Sequence, residues 1–92
     1  MGQSIKSAQF LIDSRMADAA RGDIAACFDL GIVYSTGTEV EIDMIEAHKW
    51  FNLAAIRGNA EAALYRQELA LEMTKAAIAE AQRAAREWLR TH

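Results

Sequence analysis

The sequence predicts an all-α fold of about five antiparallel helices, stacked as a short α/α solenoid. Three observations carry that prediction. Proline is absent and alanine abundant while β-branched residues are few, a balance that favours helix over strand. Glycine interrupts the chain at Gly22, Gly37 and Gly58, where runs of helical periodicity stop. A segment of the chain also repeats itself: ADAARGDIAACF returns as LAAIRGNAEAAL.

The first helix is read over residues 4–21. Ile5, Ala8, Ile12, Met16 and Ala19 make its apolar stripe, with Phe10 and Leu11 partly off it. Gly22 supplies the C′ position and Asp23 the next N-cap. The second helix, 24–35, has only Asp29 as a polar residue between Ile24 and Tyr34. A surface helix would show a wider polar face, so this one needs neighbours on both flanks. Gly31 inside it costs about 1 kcal/mol of propensity relative to alanine. Close approach of another helix would compensate.

The third helix opens at Asp43, with Glu46 three residues later in capping-box spacing. Met44, Ala47, Phe51, Ala54 and Ala55 form a core stripe with Trp50 beside it. Ile45 and Ile56 share another face with Lys49 and Asn52. The helix stops before Gly58, and Asn59 caps the fourth, read as Ala60 to Met73. Apolar residues flank its acidic edge of Glu61, Glu68 and Glu72 on both sides: Ala60, Leu64 and Leu71 on one, Tyr65, Leu69 and Met73 on the other. That pattern predicts a sandwiched helix. Thr74 then caps a fifth helix, about 75–90, striped by Ala77, Ile78, Ala81, Ala85, Trp88 and Leu89. Its other face is charged, as the terminal element of a stack should be.

The chain of 92 residues suits a single domain with a modest core. Its net charge of -3 argues against nucleic acid, which asks for a concentrated basic surface. No stretch approaches the roughly 20 apolar residues of a membrane span. The opening MGQSIKSAQF lacks a secretory pattern, and Lys6 stands where the myristoylation pattern wants Ser or Thr. A lone Cys27 among Ala26, Phe28 and Leu30 reads as a small buried hydrophobe. A cytoplasmic setting is the expectation.

The residues then carry a family resemblance. Ala19, Gly22 and Ala26 are followed by Leu30, Gly31, Tyr34 and Gly37. After these come Val40, Asp43, Ala47, Trp50, Phe51, Ala54, Ala55 and Gly58. In this order they resemble the Sel-one-like repeat, a relative of the tetratricopeptide repeat, over about half the chain. The offset between copies is 36 residues (58 − 22), and it relates Ala19 to Ala55, Ala26 to Ala62 and Phe28 to Leu64. Glu39 stands where the family has a second loop glycine, and Gln67 and Ala70 replace the glycine and tyrosine of the second copy. The chain thus divides into an N-terminal helix (4–21), a complete repeat (23–58), a partial second repeat (59–73) and a C-terminal capping helix (74–91).

The resemblance implies a non-catalytic adaptor or scaffold that binds a protein or peptide. In such stacks the first helix of each pair often lines the concave face. That places Ala25, Asp29 and Ile32, and at the second copy Glu61, Tyr65 and Glu68, on the partner-binding side. A homodimer would supply stacked neighbours that a single repeat lacks. The alternatives are a self-associating structural protein and a small regulatory subunit of an enzyme.

Catalytic or metal chemistry finds little support in the residues. His48 reads as solvated on the polar side of the third helix, and His92 as a frayed terminus. Neither belongs to a metal-ligand spacing, and no cofactor is expected. Ser4, Ser7, Ser14 and Ser35 lack a paired histidine and acid at a recognisable spacing. Arg83, Arg86 and Arg90 alternate with Glu80 and Glu87, which suits a salt-bridged surface helix better than an RNA or lipid contact.

Overall fold

A computed structural model describes residues 2–38 and 40–92, with side chains from residue 9 onward except at position 39. Ile5 and Ala8 of the expected first stripe, and Glu39, fall outside the described side chains. Five helices follow one another, and no strand occurs among the described residues: α1 (Gly2–Ala20), α2 (Ile24–Thr36), α3 (Met44–Ile56), α4 (Ala60–Ala70) and α5 (Lys75–Thr91).

Each joint has a specific chemistry. Asp23, Asp43, Asn59 and Thr74 sit in extended backbone, and their side chains accept from the N–H of Ala26, Glu46, Ala62 and Ala77. These bonds satisfy helix donors that lack an internal partner. At the end of α1, Gly22 N–H donates to Ala19 O at 2.9 Å and Asp23 N–H to Asp18 O at 3.1 Å. At the end of α3, Gly58 N–H donates to Ala55 O and Asn59 N–H to Ala54 O, both at 3.0 Å. These are two Schellman closures, and each needs its glycine at positive φ, 92° for Gly22 and 106° for Gly58. In both, the residue after the glycine also caps the following helix. Asn59→Ala is expected to lower stability by about 1 kcal/mol, read as a fall in the urea midpoint at unchanged slope.

The Asp43–Glu46 pair forms only half of a capping box. Asp43 caps the helix, but its own N–H donates to Tyr34 O at 3.0 Å. Glu46 is therefore released to accept from Trp50 Nε1 and to pair with Lys49, each at 3.0 Å.

The core is organised around α3, which packs against α2, α4 and α5, while α1 covers the far side of α2. This accounts for the near absence of polar residues in α2. On α3, Ala47, Trp50, Phe51, Leu53 and Ala54 are all buried. Small residues facing them let the helices close: Ala19, Ala26, Ala62, Ala81 and Ala85 are buried on the other four helices. Gly31 is the tightest approach, since a Cβ there would lie 2.5 Å from the Phe51 ring.

One residue before Phe51, on the side of α3 that meets α5, the two tryptophans pack edge to face, with centroids 4.9 Å apart. Lys49 Nζ stands over both indoles, at 4.5 Å from Trp50 and 5.7 Å from Trp88. His92, expected to fray, instead stacks on Trp88 at 3.7 Å with an interplanar angle of 11°. The half-buried Trp88 ring on the last turn of α5 gives it a place to rest.

Helix α4 departs from the sandwiched helix expected. It ends at Ala70 rather than Met73, and residues 71–73 form a turn. Only Ala62 and Leu69 are buried on it, while Leu64 is 62% and Leu71 85% exposed. The reason is that α5 swings onto α3 and hardly touches α4, so the outer side of α4 lacks a cover. Helix α5 itself has one apolar face, with Ala81 and Ala85 buried and Arg83, Arg86 and Arg90 exposed.

Candidate functional site

Five of the six residues expected to face a partner separate into two groups. Glu61, Tyr65 and Glu68 come together on α4, with Leu64, around a shallow depression of about 260 Å³. The two carboxylates are exposed and flank the ring. Tyr65 lies flat on Phe51, centroids 5.4 Å apart and planes 14° apart, and meets the edge of Phe28 at 5.6 Å. Phe28 in turn packs on Phe51 at 5.8 Å. This three-ring stack joins α2, α3 and α4 and leaves Tyr65 39% exposed at its outer end.

Asp29 and Ile32 belong to a separate groove of about 250 Å³ between α1 and α2, shared with Leu11, Ile12 and Val33. Asp29 pairs there with Arg15 at 3.2 Å, both half exposed, which makes a surface bridge of little energetic weight. Ala25 is exposed near the start of α2 and belongs to neither group.

His48 is the clearest correction to the sequence reading. It was expected in solvent and is 3% exposed. Lys49 and Asn52 suggested a wet side of α3, but α4 and α5 close over both sides of that helix. Burial pushes the imidazole below its ordinary value of 6.5, and the neighbouring Arg66 charge pushes the same way. Its Nδ1 is buried without a hydrogen-bond partner among the described residues.

The sign of the pH effect follows from that shift. Below pH 6.5 the unfolded chain takes up a proton at His48 before the folded chain does. Stability therefore falls as pH drops through that range, and levels off for this group below the folded value. Thermal melts between pH 7.5 and 5 should show the decline in the native protein and a flatter profile in His48→Asn.

His48 also floors a cleft of about 530 Å³ between α4 and α5. Asn52 of α3, Arg66 and Gln67 of α4 and Gln82 of α5 line it, with Leu64, Ala70 and Ile78 among its apolar members. Arg66 Nη1 donates to Asn52 Oδ1 at 2.6 Å. The sequence reading missed this group, although its signal was present. His48 and Asn52 stand four apart on α3, Ile78 and Gln82 four apart on α5, and Ala63, Arg66, Gln67 and Ala70 mark one face of α4.

Cys27 is fully buried, and burial pushes its thiol above the usual value while Arg57 acts in the opposite direction. A protonated thiol sealed in the core is a packing residue. Among the described residues no group of three or more His, Cys, Asp or Glu side chains could hold a metal ion, and no helix is long and apolar enough to cross a membrane. No protein-family model matches this sequence, and neither does any curated protein or solved structure.

Proposed function

We propose that this chain is a non-catalytic, protein-binding module of the Sel-one-like repeat type, serving as a cytoplasmic adaptor or scaffold. The observation that carries the reading is the exposed end of the Phe28–Phe51–Tyr65 stack, framed by Glu61 and Glu68. A rigid aromatic seated on the core and flanked by charge has the character of an interface anchor. Glu72, which borders the same ring on the side of Ser35, adds a third carboxylate. The face suits a peptide or protein surface that presents lysine or arginine.

The repeat reading draws support from the joints. The Schellman bonds at Gly22 and Gly58 and the caps at Asp23 and Asn59 use equivalent atoms at the 36-residue offset found in the sequence.

The test is affinity purification with the native chain and with Glu61→Lys/Glu68→Lys, both positions being exposed and outside the core. A protein that the native chain retains should be lost by the variant and rebind as a purified component with its Kd raised roughly tenfold or more. Equal binding to both chains, with both folded by circular dichroism, would remove this face from consideration.

Self-association is the second reading, favoured by the apolar groove of α1 and α2. Phe10 is 71% and Leu11 50% exposed beside it. Light scattering should then give twice the 10.2 kDa chain mass, and Leu11→Glu should return the monomer.

A further inference from the structure

The cleft between α4 and α5 has a chemistry that protein binding on the Tyr65 face does not use. We propose that it is a binding site for a small carboxylate-bearing molecule, with the anionic head on the Arg66 guanidinium and a short apolar tail against Leu64 and Ile78.

The lining is one-sided in charge. It holds the Arg66 cation and the amides Asn52, Gln67 and Gln82, contributed by three helices, and no Asp or Glu. Asn52 accepts from Arg66 through Oδ1, which leaves its NH₂ as a donor toward the same space. The planar guanidinium fork uses one Nη1 donor on that bond, and none of the ion pairs among the described residues involves Arg66. Such a fork matches the two oxygens of a carboxylate.

His48 supplies an independent sign. It is 3% exposed, lines the floor of the cleft, and keeps an unpartnered Nδ1. Buried polar atoms without partners are uncommon, and a hydrogen-bonding group missing from the neighbourhood is one of their physical explanations. A cation is a poor occupant, because the guanidinium repels it and no carboxylate or thiolate lines the site. The volume of about 530 Å³ lies within the range of small-molecule pockets, and the mixed lining gives such a ligand one polar and one apolar end.

The cleft exists because α4 and α5 both pack on α3 and hardly on each other. The turn at residues 71–74 joins them at one end, so the site is a wedge floored by α3. This placement is separate from the joints and from the core rings, and the site would stand even if Glu61 and Glu68 met no partner.

Titration of the ¹⁵N-labelled full chain with sodium hexanoate at constant ionic strength tests the proposal, with hexanamide and inorganic phosphate as comparison probes. Saturable amide shifts confined to the cleft-facing stretches of α3, α4 and α5 are expected. Hexanamide should bind about tenfold more weakly or less well still, because it lacks the charge that strengthens the guanidinium bonds. Arg66→Met should weaken hexanoate to a similar extent, and Gln82→Leu, at an exposed position whose replacement leaves the packing intact, should weaken it several-fold. Shifts that are dispersed or do not saturate would overturn the site. So would equal binding of hexanamide, or hexanoate affinity unchanged in both variants. Phosphate binding as tightly as hexanoate would overturn the carboxylate assignment.

Discussion

Trp50→Ala is expected to remove about 3–5 kcal/mol of stability, the largest single loss in the molecule. Trp50 is fully buried on the helix that every other element except α1 packs against. Truncation deletes the contact with Trp88 at 4.9 Å and opens a cavity that two rigid helices cannot fill. It also strips Glu46 of the indole N–H it accepts at 3.0 Å, and Lys49 of the ring 4.5 Å below its ammonium. In a chain of this size each kcal/mol lowers the melting temperature by roughly 4–8 °C. The variant should therefore melt at least about 12 °C lower, or be unfolded at room temperature. Trp50→Phe keeps most of the apolar area and loses the Glu46 bond, so its loss should be the smaller one. A melt of Trp50→Ala that overlays the native curve would mean that the indole is not packed between α3 and α5.

The elements most legible in the sequence were those governed by local chemistry. Glycines followed by Asp23 or Asn59 gave the helix joints because a positive φ and a cap are short-range requirements. The crowding around Trp50 and Phe51 was legible from spacing, since small residues recur where bulky ones must fit. What could not be read was how α4 and α5 lie relative to each other. Nothing in LEMTKAAIAE states whether the turn folds α5 back on α4 or across α3. That single choice exposes Leu64 and Leu71, buries His48 and opens the Arg66 cleft. The misplacement of His48 and the missed cleft thus have one cause. The proposed partner face divides for a related reason: the 36-residue offset pairs positions along the chain, but Asp29 is drawn to Arg15 of α1 while Tyr65 is drawn to Phe28 and Phe51.

Gly31→Ala should also destabilise the protein, against the sign that helix propensity gives. In an exposed helix the change would gain about 1 kcal/mol, because glycine has more backbone freedom to lose. Here the added methyl would lie 2.5 Å from Cδ1 and Cε1 of Phe51 and 2.9 Å from Cγ. The ring cannot step aside cheaply. It is 1% exposed and held between Phe28 and Tyr65. Overpacking costs about 1–3 kcal/mol, and an overlap this deep with a held ring belongs in the upper half of that range, so after the propensity gain the expected net result is a loss of about 1–2 kcal/mol, and Gly31→Val, with more bulk and a smaller propensity gain, should lose more. Phe51→Leu should absorb much of the added volume, so the double variant Gly31→Ala/Phe51→Leu should lose less than the sum of the two single changes. A rise in melting temperature for Gly31→Ala alone would mean that α2 and α3 are farther apart than the ring contact implies. The same variant bears on the partner face, because Phe51 is the floor on which Tyr65 lies. Displacing that floor tilts the exposed ring between Glu61 and Glu68, so a small residue buried in α2 sets the geometry of a surface on α4.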